Sequence, residues 1–322
     1  MDFTALPSLP LRIGISSCLL GNQVRFDSGH KHSAYITQTL GEYFEFVPFC
    51  PEVAIGLGIP RPPVRLVNAD GSIRVRGVRD PAQDVTDALA EYGRTVAPAL
   101  GDVSGYLFKK GSPSCGMERV KVYDAETGHP VGSASGLYAH TIMQALPELP
   151  VEEEGRLMDA RLRENFVERV FIYHRWHCYC AHGMTAAALV DFHTRHKFSV
   201  LAHDEPAYRE LGRLVAGAGK RDIDTVAGEY IRLLMRALRK IATPKQHTNV
   251  LMHIMGFFKD HLDGDDKAEL LDLIEAYRRE QVPLIVPMTL IQHHLRCHPD
   301  DYLAAQYYIN PHPRELMLRN RI

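Results

Sequence analysis

The sequence has no apolar run long enough to cross a bilayer. Its longest, such as Val282 to Val286, hold a handful of residues, against the ~20 that a spanning helix requires. A basic segment leading into an apolar one is also missing at the start, so no secretory leader is expected. Cysteine is scarce: six among 322 residues are too few and too scattered for a disulfide framework. Net charge is nearly absent at a formal −2, which removes any whole-chain electrostatic argument for nucleic acid. No internal repeat or low-complexity tract stands out. These absences leave an ordinary soluble composition, 45% hydrophobic and 24% charged, in a chain long enough for two domains. A reducing cytoplasm is the expected setting, where cysteines act as ligands or nucleophiles more often than as staples.

What is present changes character along the chain. Residues 1 to about 120 alternate short apolar runs with loops rich in Gly, Ser and Pro. Leu11 to Ile15, Tyr43 to Phe49 and Val103 to Phe108 read as strands. Asp84 to Ala97 carries helical spacing, Tyr123 to Ser135 reads as a turn-rich insertion, and Leu137 to Leu146 as a short helix. Strands separated by helices predict an α/β domain with a mainly parallel sheet. Glu152 to Val170 is amphipathic with acidic residues in its first turn, the pattern of a helix start. From Ala186 onward helical patterning dominates, broken near Gly217 to Gly219, Thr243-Pro244, Asp263-Gly264 and Val282-Pro283. The expected organisation is therefore an α/β domain over residues 1–176 and an all-α domain over 177–322.

Each of the three strands ends in a loop that carries a cysteine: Cys18, Cys50 and Cys115. In open parallel sheets, ligand sites lie beyond the carboxyl ends of the strands, so the three thiols should converge there. A single cysteine at a strand end is more often a small buried hydrophobe, but three in Gly/Ser/Pro loops point to a metal site. Three thiolates suit a zinc ion or an iron–sulfur cluster. Without a CxxC pair, spacing leaves that choice open.

The flanking segments carry more. Ile15-Ser16-Ser17-Cys18-Leu19-Leu20-Gly21, Cys50-Pro51-Glu52 and Lys109-Lys110-Gly111-Ser112-Pro113-Ser114-Cys115-Gly116 resemble the DUF523 family, which includes the TudS thiouracil desulfidases. His196-Lys197-Phe198-Ser199-Val200-Leu201-Ala202-His203 and Asn249-Val250-Leu251-Met252-His253-Ile254-Met255-Gly256 resemble the DUF1722 family. The tandem is similar to the RudS tRNA 4-thiouridine desulfidases. This resemblance implies a [4Fe–4S] cluster held by Cys18, Cys50 and Cys115, with one iron open to the substrate sulfur. It implies non-redox conversion of 4-thiouridine in tRNA to uridine, with release of hydrosulfide. Glu52 and Ser112 match functional positions and would handle protons; as plain structure, Glu52 caps a helix and Ser112 closes a turn. Ser16 and Ser17 are candidate donors to cluster sulfides. Free thiouracil or 4-thiouridine monophosphate is the alternative substrate, and a non-catalytic cluster-containing nucleic-acid-binding sensor the alternative class.

The second half is balanced overall, but Ile231 to Lys259 holds Arg232, Arg236, Arg239, Lys240, Lys245 and Lys259 with no carboxylate. The first four fall on one face if helical. Such a stripe suits a phosphate backbone, with Lys109 and Lys110 as further RNA contacts, although a solvated face is the plain reading of any charge run. His193, His196, Lys197 and His203 form a second cluster open to either reading. A rival metal site is also possible at His174, His177, Cys178, Cys180 and His182, and Cys297 is expected to be structural.

Overall fold

A computed structural model of the chain describes residues 10–320. The chain divides between Asp159 and Ala160 into two compact units, the first α/β and the second helical. The α/β unit holds, in order, β1 (Arg12–Ser16), β2 (Glu45–Phe49), α1 (Pro51–Ala54), β3 (Val64–Ala69), β4 (Ser72–Gly77), α2 (Thr86–Ala99), β5 (Val103–Phe108), β6 (Val120–Asp124), β7 (Pro130–Ala134), α3 (Leu137–Ala145) and β8 (Val151–Glu153). One sheet has the order β2-β1-β5-β8, and every pairing in it is parallel. All six residues of β5 are buried, as expected where both faces of a parallel sheet are covered. Gly14 on β1 makes the close packing possible, because a Cβ there would stand 2.4 Å from the Tyr106 ring.

A second sheet, ordered β4-β3-β6-β7, consists of two antiparallel hairpins joined by a parallel β3–β6 pairing. The expected turn-rich insertion at Tyr123 to Ser135 is the β6–β7 hairpin of this sheet. Its strands are short and β7 is mostly exposed, so no apolar alternation marks it. The β3–β4 turn carries a readable signal: Asp70 and Gly71 both take positive φ, at 51° and 79°, as an Asp-Gly hairpin turn requires.

The helix expected over Glu152 to Val170 starts only at Ala160. Glu152 and Glu153 belong to β8, and their carboxylates accept from Arg156 Nε at 2.6 Å and from the Met117 N–H at 2.8 Å. Loop fastening, not a helix start, explains those acids.

The helical unit contains α4 (Ala160–Ala181), α5 (Ala186–His203), α6 (Glu205–Ala216), α7 (Ile223–Leu238), α8 (Pro244–Met255), α9 (Gly264–Arg278) and α10 (Ile285–Cys297). The boundary expected at residue 176 lies inside α4, whose backbone runs unbroken through it, and the units part instead at Asp159/Ala160. The expected breaks coincide with caps. Thr243 and Gln246 form a reciprocal capping box before α8, and Asp263 accepts from the Asp266 N–H before α9. Trp176, Phe192 and Tyr230 pack together in one apolar core.

Buried charge is embedded in the helical unit. Arg319 places Nε on Glu164 Oε1 at 3.2 Å and Nη1 on the Tyr308 carbonyl at 2.6 Å. His203 faces two acceptors, the Lys240 carbonyl from Nδ1 at 2.5 Å and Glu168 Oε2 from Nε2 at 3.3 Å. Two acceptors need two N–H groups, so the ring is held as an imidazolium. Burial is the largest influence and opposes that charge, but the hydrogen bond and charge of Glu168, the Lys240 carbonyl and the charge of Glu164 together outweigh it and raise His203 above its ordinary 6.5. Burial likewise acts to raise Glu168, yet the His203 bond together with the charges of His203, Arg319 and His247 holds it well below its ordinary 4.5.

The pair therefore stabilises the unit fully between pH 4.5 and 6.5, losing that contribution as pH rises through the raised value of His203 or falls through the depressed value of Glu168. Urea midpoints followed by the emission of Trp176, the single tryptophan, should fall as pH rises above 6.5. In His203→Gln the midpoint should be lower throughout, with that slope removed. A native midpoint that stays flat to about pH 9 would overturn the imidazolium assignment.

Candidate functional site

The parallel register of the first sheet sets the site. Ser16 lies opposite Phe49, and Ile15 opposite Leu107, so the three chains leave the sheet at the same edge. Cys18 follows β1 in a short 3₁₀ turn spanning Ser17–Leu20. Cys50 follows β2 and is the N-cap of α1, with Pro51 in its first turn. Cys115 follows β5 in a loop fastened by bonds from Gly116 N to Ser112 O at 2.8 Å and from Ala139 N to Ser114 O at 3.0 Å. At Gly136 a Cβ would meet Ser112 O and the Ser114 carbonyl at 2.7 Å, so only glycine lets this loop lie against the start of α3.

All three cysteines are free thiols, and they line one cavity of about 340 Å³ together with Glu52, Ser112, Lys109 and Lys110. Burial pushes Cys18 up to about 11 and Cys115 well above the ordinary thiol range, and it raises Cys50 as well. The charges of Cys18 and Cys50 each act on Cys115, as expected of neighbouring groups. The Ser16 hydroxyl bonds to Cys115 and accepts the Lys109 N–H at 3.0 Å. Ser17 Oγ accepts from Asn22 Nδ2 at 2.7 Å.

Among the described residues, no three His, Cys, Asp or Glu side chains gather closely enough to hold one metal ion. An iron–sulfur cluster takes each thiolate at a separate iron, and three thiols that line one cavity suit such a group. The soft donor set and the cavity agree with such a group.

Glu52 sits two residues after Cys50. Its Oε2 accepts from Arg61 Nε and Nη2, and its Oε1 from the Ser114 hydroxyl. Ser112 Oγ accepts from the N–H groups of Ser114 and Cys115 at 3.2 and 3.1 Å. Its own hydroxyl proton remains to be donated. Arg61, Ser114, Arg25 and Lys31 are cavity or supporting residues that sequence reading missed. Arg61 belongs to Pro60-Arg61-Pro62-Pro63, a segment with no catalytic pattern. Ser114 lay within the Cys115 motif but carried no separate signal.

The other expected residues are dispersed. Lys109 Nζ bonds to Glu154 and to the Lys110 carbonyl, so it holds the loop; Lys110 is exposed. On α7 only Arg232 and Arg236 share the expected face, because the helix ends at Leu238 before Arg239 and Lys240. Lys240 pairs with Asp204 at 2.5 Å, while Arg239 and Lys245 are exposed. His193, His196 and His203 are buried, which removes them as RNA contacts. In the rival cluster, His174 Nε2 stands 3.8 Å from Cys178 Sγ and the His177 ring packs on Tyr173. Cys180 and His182 are exposed, so these five do not converge. Cys297 is exposed 3.7 Å from His293 and is not a core residue.

Gly136→Ala should cost about 1–3 kcal/mol through overpacking and displace the Cys115 loop. Mass spectrometry of alkylated peptides from the metal-free chain should show faster labelling at Cys115 and little change at Cys18. Unchanged Cys115 labelling would show that Gly136 does not set the loop.

Comparison with known proteins agrees with this division. Residues 13–154 match the family described as 2-thiouracil desulfurase, and residues 197–313 match a protein family of unknown function, DUF1722. Uncharacterized protein YbgA of Escherichia coli (strain K12) is 37% identical over 161 residues, half of this chain and 95% of that protein. Uncharacterized protein YbbK of Bacillus subtilis (strain 168) is 30% identical over 137 residues, 41% of this chain and 89% of that protein. A solved structure of a [4Fe–4S]-dependent thiouracil desulfidase, TudS, is 30% identical, covering 46% of this chain and 94% of that one at a TM-score of 0.35. The chain belongs to the 2-thiouracil desulfurase (DUF523) family through its α/β unit and to the DUF1722 family through its helical unit.

Proposed function

We propose that this protein is a cytoplasmic, [4Fe–4S]-dependent desulfidase that converts 4-thiouridine in tRNA to uridine without net redox change. The observation that carries the reading is the single cavity lined by Cys18, Cys50 and Cys115 together with Glu52 and Ser112. The family match over residues 13–154 supports desulfuration as the chemistry. Cys18, Cys50 and Cys115 hold the cluster. When bound, a cluster with one iron free of protein ligands supplies a thiophilic Lewis acid for the thiocarbonyl group. Glu52 takes a proton from the water whose oxygen bonds to the ring carbon. Ser112 gives its hydroxyl proton to the sulfur as the C–S bond breaks and takes back the remaining proton of the added hydroxyl as the ring carbonyl forms, so hydrosulfide leaves, Ser112 is restored and Glu52 passes its proton to solvent. The apolar walls formed by Val24, Phe49 and Pro51 limit access of other water.

The tRNA link rests on the helical unit. Arg232 and Arg236 of α7 and Arg213 of α6 line one open groove of about 560 Å³, and exposed Arg239 and Lys245 follow in the chain. Glu210 and Glu229 share that groove, which tempers its positive potential. A small substrate such as thiouracil or 4-thiouridine monophosphate is the second reading. It is favoured by the enclosed size of the cysteine cavity and by Arg25, Lys31 and Lys110 in its lining.

Anaerobically prepared protein should convert 4-thiouridine in tRNA to uridine, as read by nucleoside analysis. Turnover of the free nucleotide alone would favour the second reading. Unchanged thionucleosides beside an intact cluster would overturn desulfuration and leave a sensor. Changing any of the three cysteines to Ser should abolish iron and sulfide binding, and retention in one variant would remove that residue from the ligand set. Glu52→Gln should lower kcat by about 10²–10⁴ with the cluster retained. Arg232→Ala/Arg236→Ala should weaken tRNA binding and reduce its salt slope by about 2, leaving free-nucleotide turnover unaltered.

A further inference from the structure

The two oxygens of Glu52 have unlike settings. Oε2 accepts from Arg61 Nε at 2.9 Å and Nη2 at 2.7 Å, whereas Oε1 accepts from the Ser114 hydroxyl alone at 2.8 Å. Arg61 is buried and directs two further N–H groups at backbone: Nη1 to the Gly58 carbonyl at 2.9 Å and Nη2 to the Val24 carbonyl at 3.0 Å. Its own N–H reaches the Phe26 carbonyl at 3.0 Å. The thiol of Cys50 also lies against the Val24 carbonyl, at 3.7 Å. One guanidinium thus joins the carboxylate, a cysteine-bearing turn and the Val24–Phe26 wall of the cavity. With four of its five N–H groups so used, Arg61 is not arranged to bind an incoming phosphate.

We propose that Arg61 is a positioning residue that anchors Oε2 of Glu52 and leaves Oε1 as the working oxygen; this rests on the desulfidase reading. Two N–H groups of one rigid guanidinium converge on Oε2 and pin that oxygen, and the Ser114 hydroxyl on Oε1 then sets the tilt of the carboxylate; the flexible point charge of lysine would hold Oε2 less closely. Oε1 has two lone pairs. Ser114 takes one, and the other remains for the water that attacks the ring carbon. Proton transfer at that oxygen depends on its placement, and an error of ~1 Å costs about 10²-fold in rate.

The test is a double-mutant cycle in the holoenzyme. Arg61→Met should lower kcat about 10²-fold with KM changed less than about threefold, and Arg61→Lys should recover about tenfold of that loss. Because Arg61 acts through Glu52, Arg61→Met/Glu52→Gln should match Glu52→Gln alone within about threefold. A further loss as large as that of Arg61→Met alone would overturn the proposal. Two readouts stand apart from activity. Anaerobic iron and sulfide content should be unchanged in Arg61→Met, and a lost cluster would make Arg61 a scaffold residue instead. Amide hydrogen exchange at Val24–Phe26 and Gly58–Arg61 should quicken in Arg61→Met but not in Glu52→Gln. Unchanged exchange there would show that the clamp is absent, whatever the rates. Unmodified holoenzyme that leaves every thionucleoside untouched would overturn the desulfidase reading itself, and Arg61 would then have no reaction to position.

Discussion

Parallel pairing of β1 with β2 on one side and β5 on the other is the constraint on which the site depends. Parallel strands share a direction, so all three chains leave the sheet at one edge, where turns too tight for regular structure carry the cysteines. Register does the rest, because a strand slipped along its neighbour would carry its thiol away from the others. Gly14 against Tyr106 is part of that register: the aromatic ring occupies the space a side chain on β1 would need. Covering both faces makes β5 fully buried, and in the loop that follows Cys115 is buried as deeply as Cys18.

Desolvation at this edge has a chemical consequence. Thiols pushed upward by burial are poor nucleophiles on their own and reach the thiolate form most readily when a cation replaces the proton. Around the cavity, hydroxyls and amides supply directed donors: Ser16 to Cys115, and Ser112 receiving two backbone N–H groups. Arg61 and Glu52 bring one buried ion pair into the same wall. Such a pair contributes little net stability, and its value here lies in fixed geometry.

The helical unit follows a different logic. Its apolar cores are conventional, but His203 with Glu168 and Arg319 with Glu164 place charge where leucine would pack without penalty. These contacts tie α4 to α5 and to the chain near residue 319. Each removes a cation or an imidazole from any surface role. The histidines that looked available for RNA are used inside the unit, whereas Arg213, Arg232 and Arg236 of α6 and α7 stay exposed along one groove.

Much was legible in the chain itself. Apolar runs bounded by Gly, Ser and Pro marked β1, β2 and β5; in β5 that run reflects burial on both faces, whereas β2 is a half-exposed edge strand. Cap residues such as Thr243 and Asp263 marked helix starts, because orphan N–H groups need a local acceptor. The cysteines, Glu52 and Ser112 stood out through motifs that are continuous in sequence. Other features were silent because their physics is non-local. Glu152 and Glu153 have the composition of a helix start, yet β8 forms because β5 offers an unpaired edge. The second sheet left little trace because its outer strands face water. Arg61, between prolines, carried no signal before folding buried it against Glu52, and Lys109 looked available to RNA until Glu154 met it. Local propensity, burial pattern and the identity of the three thiols were thus determined by sequence alone. Which charges face one another, and so which are spent inside the fold and which remain for a ligand, only the tertiary structure decided, because those pairings join residues far apart in the chain.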